Sequence, residues 1–104
     1  MPLTDKEQQA KVNAFEDVTI ELRNLYEAKN QDYGDSFGRS FEMWGLTMSC
    51  IRLGDKLNRL ESLAQGKKMC VADESIQDTL KDLANYAIMT LVELNLRNNK
   101  GGNN

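Results

Sequence analysis

Residues 40–66 read SFEMWGLTMSCIRLGDKLNRLESLAQG, and this segment carries the strongest structural signal in the chain. Ser40 is a suitable N-cap and Gly66 a suitable C-terminal stop, so the pattern predicts one long helix that ends near Gln65. Apolar residues recur along two lines at helical spacing. One line contains Phe41, Trp44, Met48 and Ile51, and the other contains Leu46, Cys50, Leu53, Leu57, Leu60 and Ala64. Because both sides are apolar, we expect the helix to pack on both sides, with Trp44 and Met43 in the core.

Two glycines interrupt this segment. Gly45 and Gly54 would each cost about 1 kcal/mol relative to alanine in a helix interior. They weaken the prediction of a continuous helix. Close packing against a neighbouring helix is the alternative reason for their presence.

Two further helices are predicted, and no stretch alternates as a strand does. The first begins at Thr4, whose spacing to Glu7 fits a capping box, and is expected to end near Lys29. Its apolar stripe contains Phe15, Val18, Leu22 and Leu25. The third, capped by Asp73, is expected from Glu74 to about Arg97, with a core stripe of Ile76, Leu80, Leu83, Ala87, Leu91 and Leu94. The predicted fold is an all-α three-helix bundle: a single domain over residues 1–97 and a disordered tail over residues 98–104.

Composition narrows the possible functions. The chain has 104 residues, a net charge of −3, two cysteines and no histidine. The absence of histidine excludes a Ser-His-Asp triad and histidine-ligated zinc, and the absence of a basic cluster makes nucleic acid an unexpected primary ligand. The N-terminus lacks the apolar core of a signal peptide, so we expect a cytoplasmic protein without a membrane partner. A chain this short has little room for a complete pocket, and we therefore expect a homo-oligomer.

Charges fall where the apolar pattern should continue. One turn past Ile51 lies Asp55, and the neighbouring cations on the same helix are Arg52, Lys56 and Arg59. On the third predicted helix, a face nearly opposite the core stripe carries Glu74, Asp78, Asp82 and Asn85. Carboxylates four residues apart repel one another, so something must offset that repulsion. The alternatives are a divalent cation such as Mg²⁺, held by Asp55, Glu74, Asp78 and Asp82, or ion pairs with the cations of the second helix.

The loop NQDYGDSFG, residues 30–38, suggests a second site. Lys29 could hold a phosphate, and Tyr33 or Phe37 could stack on a base near the start of the next helix. The alternative is that both aromatic residues plug the bundle and that Asp32 and Asp35 serve as turn or cap residues. The candidate nucleotide-binding residues are Lys29, Asp32, Tyr33, Ser36, Phe37, Arg52, Lys56, Arg59 and Asn85.

Three blocks in order resemble one known family. They are KNQDYGDSF (residues 29–37), RLGDKLNRLESL (residues 52–63) and VADESIQDTLKDLANYAIM (residues 71–89). Together they are similar to the phage and prophage family called nucleotide modification associated domain 1, over residues 29–94. The resemblance implies a phage protein linked to nucleotide or DNA base modification.

A second resemblance concerns residues 78–94, DTLKDLANYAIMTLVEL. They are similar to the last acidic helix of the MazG-like all-α nucleoside triphosphate pyrophosphohydrolases, which implies Mg²⁺ on the phosphates with Glu74, Asp78 and Asp82 as ligands. In those enzymes the acids of this helix are three residues apart, whereas here they are four apart. Three functions therefore stay open: a nucleotide-binding protein with Mg²⁺-dependent phosphohydrolase activity, a non-enzymatic protein that sequesters a nucleotide or nucleotide-derived signal, and a structural helical bundle.

Overall fold

The computed structural model describes residues 1–66 and 75–101, and this part of the chain forms four helices and no strand. Helix α1 spans Asp5–Asp32, α2 Ser36–Trp44, α3 Leu46–Ala64 and α4 Ile76–Gly101. The all-α class is confirmed, but four helices replace the predicted three. Within the described ranges, no helix has both the length and the apolar character needed to cross a membrane.

The chain divides into two compact units, where the sequence predicts a single domain. The first unit ends at Gly34 and consists of α1 with its flanking residues, and the second begins at Asp35 and contains α2, α3 and α4. Helix α4 continues to Gly101. Residues 98–101, predicted to belong to a disordered tail, are therefore helical.

Helix α1 begins with the predicted capping box. The Glu7 backbone N–H donates to Thr4 Oγ1 at 3.1 Å, and the Thr4 N–H donates to the Glu7 carboxylate at 2.9 Å. The hydrogen bonds from the Thr4 backbone and hydroxyl lower the pKa of the Glu7 carboxyl. Of the predicted apolar stripe, Leu22 is buried, whereas Phe15 and Val18 are exposed.

The predicted long helix is broken at Gly45, and this corrects the three-helix prediction. Gly45 has φ 62° and ψ −149°, a backbone conformation that side chains disfavour. Its N–H donates to the Phe41 carbonyl at 2.7 Å, which ends α2, and its own carbonyl accepts from Met48 N–H at 3.1 Å, which begins α3. Ser40 lies inside α2 and caps no helix.

Close packing does not explain either glycine of this segment. A Cβ atom built on Gly45 or Gly54 would meet no heavy atom within 4 Å in the described part of the chain. Gly45 is needed for its backbone angles. Gly54 lies in the interior of α3 without a positive φ, and nothing in its surroundings explains it.

The core of the second unit is small and aromatic. Phe37, Phe41 and Met48 are buried, and three partly buried side chains pack against them: Tyr86, Met89 and Leu94. These contacts bring α2, α3 and α4 together around one cluster. Burial of apolar side chains is the main stabilising contribution available to so short a chain.

Helices α3 and α4 pack side by side in antiparallel register. Three contacts define this register. From one contact to the next, the residue of α3 lies closer to the C-terminus of its helix and the residue of α4 lies closer to the N-terminus of its own. Thr90 Oγ1 lies 2.8 Å from Ser49 Oγ, the Arg52 guanidinium lies 5.8 Å from the centre of the Tyr86 ring, and Lys56 Nζ lies 2.9 Å from Asp82 Oδ2.

The orientation of α4 contradicts the prediction. Most of the predicted core stripe faces outward: Ile76, Leu80, Ala87 and Leu91 are exposed, and only Leu83 and Leu94 are half-buried. The buried residues of α4 are Thr79, Asn85 and Thr90. The facing side of α3 is itself polar, with Ser49, Arg52 and Lys56, so α4 turns polar partners toward it. Hydrophobic periodicity alone could not predict this inversion.

Helix α4 begins after a serine cap. The Ser75 hydroxyl accepts from the Asp78 backbone N–H at 3.0 Å, and the Ser75 carbonyl accepts from Thr79 N–H at 3.0 Å. The predicted cap, Asp73, and the predicted first residue, Glu74, lie outside the described residues.

Candidate functional site

A groove of about 490 Å³ lies along the junction of α2 and α3. It is lined by Trp44, Thr47, Met48, Ile51, Arg52 and Asp55. The break at Gly45 creates this junction, because it ends α2 at Trp44 and begins α3 immediately afterwards. The groove is therefore a direct product of the local sequence.

The two ends of the groove differ in chemistry. At one end the Trp44 side chain is 66% exposed, which corrects the prediction that Trp44 is a core residue. Met43 is exposed as well, and so is Ile51, which lines the groove further along α3. At the other end are Arg52 and Asp55. The sequence showed that the apolar line through Ile51 continues to the charged residue Asp55 one turn later. Both residues line the groove.

Arg52 is held in position by sulfur and aromatic contacts. Its Nε donates to Met48 Sδ at 3.1 Å, and its guanidinium lies 6.0 Å from the Phe37 ring centre and 5.8 Å from that of Tyr86. The two rings are themselves stacked, with centroids 6.1 Å apart and planes inclined by 14°. A cation near aromatic rings is attracted to them, so the direction of the guanidinium is restricted.

The polar interface between α3 and α4 contains several of the predicted site residues. Lys56 and Asp82 form a salt bridge at 2.9 Å and are both mostly shielded from solvent. Arg59 lies one turn further along α3 and is half-buried, and Asn85 is buried on α4. The sequence left open whether Asp82 holds a cation such as Mg²⁺ or pairs with a basic residue of the preceding helix. In the structure Asp82 pairs with Lys56.

Three of the four predicted magnesium ligands, Asp55, Asp78 and Asp82, lie in the described part of the chain. Within residues 1–66 and 75–101, no three acidic or cysteine side chains lie close enough together to hold a metal ion. The Asp82 carboxylate bonds the Lys56 ammonium, which competes directly with a divalent cation. Asp78 and Asp55 are exposed, and Glu74 lies outside the described residues.

The residues of the predicted loop site belong to different units. Lys29, Asp32 and Tyr33 end the first unit, and all three side chains are exposed. In the second unit, Ser36 is exposed, whereas Phe37 is buried in the core. Phe37 is therefore a core residue of the second unit and does not present its ring to a base. Tyr33, by contrast, is exposed.

Asp35 occupies the predicted cap position but does not cap. It precedes α2 with φ 58°, and its side chain makes no capping hydrogen bond. Asp tolerates this left-handed conformation better than most residues.

The sequence did not indicate a second, smaller cavity of about 250 Å³. It is lined by Asp35, Gly38, Arg39, Glu42, Glu93, Leu96 and Arg97. Arg97 lies over the Phe41 ring at 5.1 Å and forms a 3.4 Å ion pair with Glu93. Glu93 and Arg97 are four residues apart, and this spacing could have predicted their ion pair. Nothing in the sequence indicated that the pair lies beside α2.

Comparison with protein families gives a match over most of the second unit. Residues 29–94, more than half of the chain, match the family model described as "Nucleotide modification associated domain 1". Both the groove and the α3–α4 polar interface lie within this range. Neither the curated proteins nor the solved structures include a significant match.

Proposed function

The chain belongs to the nucleotide modification associated domain 1 family, and from this membership we propose that it binds a nucleotide in the groove between α2 and α3. The observation that carries the proposal is an exposed tryptophan at one end of the groove and an oriented arginine at the other. The groove volume of about 490 Å³ falls in the range of small-molecule sites.

The apolar end suits the base. The exposed Trp44 side chain offers an aromatic face on which a purine or pyrimidine can stack, and the exposed Ile51 adds apolar surface to the same groove. Stacking of a base on an aromatic side chain contributes about 1–3 kcal/mol and tolerates any base. This end supplies affinity more than selectivity.

The charged end suits the rest of the nucleotide. Arg52 offers a guanidinium of restricted direction, and such a group bonds phosphate oxygens at two points. Asp55 lines the same end and accepts hydrogen bonds, which fits a ribose hydroxyl or an amino group of the base. A single cation beside a carboxylate favours a ligand with few phosphates over a triphosphate.

The described residues support binding more directly than hydrolysis. A Mg²⁺-dependent phosphohydrolase needs several carboxylates converging on one ion, and Asp82, a predicted ligand, is paired with Lys56. We therefore place non-enzymatic binding of a nucleotide or nucleotide-derived signal first. Magnesium dependence and turnover are decided by the experiment below.

The only tryptophan of the chain reports on this site. Titration of Trp44 fluorescence with ribo- and deoxyribonucleoside monophosphates and triphosphates, each with Mg²⁺ and with EDTA, measures binding at the groove itself. We expect saturable quenching by at least one nucleotide in EDTA, and recovery of the intact nucleotide by chromatography. Quenching only with Mg²⁺, together with released phosphate or pyrophosphate, would favour the phosphohydrolase.

A matched pair of variants locates the site. Ile51→Ala removes part of the apolar lining of the groove and is expected to weaken binding about tenfold, equivalent to about 1.4 kcal/mol. Met43→Ala is the control, because Met43 is 71% exposed and adjacent to Trp44 but does not line the groove. If no nucleotide quenches Trp44, or if both variants weaken binding equally, the proposal is wrong.

A further inference from the structure

The charged end of the groove depends on residues that do not line it. Arg52 lines the groove, whereas the two aromatic residues that contact its guanidinium, Phe37 and Tyr86, are not part of the lining. Phe37 belongs to α2 and Tyr86 to α4, so both neighbouring helices contact this arginine of α3. The packing of α4 therefore contributes to the properties of the groove.

The guanidinium lies between the two rings. Its distances to the ring centres are 6.0 Å for Phe37 and 5.8 Å for Tyr86, and the ring centres are 6.1 Å apart, so the three groups form a nearly equilateral triangle. Each ring attracts the cation, and a guanidinium that moves toward one ring moves away from the other. Phe37 is buried and Tyr86 is half-buried, and such shielding from water strengthens the attraction.

The hydrogen bond to Met48 decides which edge of the guanidinium is available. A guanidinium has two kinds of paired N–H donors: a side edge, formed by Nε and one Nη atom, and a terminal edge, formed by both Nη atoms. The Nε of Arg52 donates to Met48 Sδ at 3.1 Å, and this bond engages the side edge. The terminal edge is then the one that offers two donors to a ligand.

We propose that Tyr86 and Met48 are positioning residues that direct the terminal edge of Arg52 into the groove, and that they make the site selective for nucleotides over nucleosides. The inference rests on the proposed function, because it assigns the phosphate of the ligand to Arg52. Two oxygens of one phosphate each accept from one Nη atom of a fixed terminal edge. A guanidinium that is already fixed loses less side-chain entropy on binding, so positioning raises the affinity for the phosphate.

The contribution of the phosphate to binding tests the role of Tyr86. Titrations followed by Trp44 fluorescence compare each of the four ribonucleosides with its 5′-monophosphate, and the ratio of the two affinities measures that contribution. Tyr86→Leu should reduce this ratio about two- to tenfold, because it removes one of the two rings that fix the guanidinium. Tyr86→Phe keeps the ring and should keep the ratio. Met89→Leu is the control, because Met89 packs on the same core cluster as Tyr86.

The Arg52 side chain gives a second readout that needs no ligand. In an NMR spectrum of the arginine Nε–Hε groups, the Hε proton of Arg52 should exchange with water more slowly than that of the exposed Arg23, because Arg52 Nε donates to Met48 Sδ. Met48→Leu keeps the size of the side chain but removes the sulfur acceptor, so the slow exchange should be lost. This measurement keeps the inference testable if circular dichroism shows that Tyr86→Leu does not fold.

The results separate this inference from the proposed function. If no nucleotide binds to the wild-type protein, the proposed function is wrong. If a nucleotide binds but a folded Tyr86→Leu variant keeps the wild-type ratio, or if Met89→Leu reduces the ratio equally, the inference alone is wrong. It is also wrong if the Hε proton of Arg52 exchanges as fast in the wild-type protein as in Met48→Leu.

Discussion

Replacement of Gly45 and Gly54 by alanine should change stability in opposite directions. In both cases the new methyl group has space, because no heavy atom of the described chain lies within 4 Å of the built Cβ. Neither variant therefore introduces a steric clash with its neighbours. The backbone conformation of each glycine alone decides whether alanine stabilises or destabilises the protein.

The magnitudes follow from the two backbone conformations. Gly45 has φ 62° and ψ −149°, close to a region that is almost restricted to glycine, so Gly45→Ala should cost about 1–3 kcal/mol. Gly54 lies in the interior of α3, where alanine is favoured over glycine, so Gly54→Ala should stabilise by about 0.5–1 kcal/mol. Each kcal/mol corresponds to a shift in Tm of about 4–8 °C for a domain of this size.

Urea denaturation followed by Trp44 fluorescence measures both effects. Trp44 is the last residue of α2 and adjoins Gly45, so its signal reports unfolding of the unit that contains both glycines. The double variant should show the sum of the two changes, because the sites share no described contact. If Gly45→Ala stabilises the protein as Gly54→Ala does, residue 45 has ordinary helical angles. Helices α2 and α3 are then one continuous helix, and the groove as described does not exist.

Three further predictions concern packing and pH. Thr90→Val should lower the free energy of unfolding by about 1–3 kcal/mol, because it leaves the buried Ser49 hydroxyl without its partner. Ser49→Ala should lower it less, and the double variant should lower it no more than Thr90→Val does. If urea denaturation shows that the two single effects add, the hydroxyl pair does not exist. Phe37→Ala should cost about 3–5 kcal/mol by thermal unfolding, with Phe37→Leu much milder, and a neutral Phe37→Ala would contradict its place in the core. Because the pKa of Glu7 is lowered in the folded state, its capping contribution is present above the unfolded-state pKa and is lost as pH falls through the folded pKa. An NMR titration should find the Glu7 carboxyl below its ordinary pKa and back near it in Thr4→Ala; an unchanged value in that variant would contradict the capping box.

Local rules predicted the start of α1 correctly, although the predicted cap at Ser40 was wrong. The capping box between Thr4 and Glu7 depends only on residues three apart, and it forms as predicted. The two interior glycines carried the same propensity penalty, and the sequence could not tell which one breaks the helix. The difference lies in the tertiary packing that α2 gains by turning Phe37 and Phe41 into the core.

The orientation of α4 shows where the apolar pattern misleads. Periodicity assigns the most apolar face to the interior, and that rule assumes that all apolar surface is buried within one chain. The matched charges on the second and third predicted helices were the better signal, because Lys56 and Asp82 do meet. The sequence could not show which of Phe37 and Tyr33 is available to stack on a base, because that depends on burial. Phe37 is in the core, whereas Tyr33 is exposed.

The antiparallel register of α3 and α4 also sets an order in which the contacts form during folding. Lys56 and Asp82 are the closest pair in sequence, Arg52 and Tyr86 come next, and Ser49 and Thr90 are 41 residues apart. Each contact that forms shortens the loop that the next one must close, so the entropic barrier to closure falls from one step to the next. The Lys56–Asp82 end of this helical hairpin closes first and the buried hydroxyl pair last. Weakening Ser49 or Thr90 should therefore accelerate unfolding while leaving the refolding rate nearly unchanged.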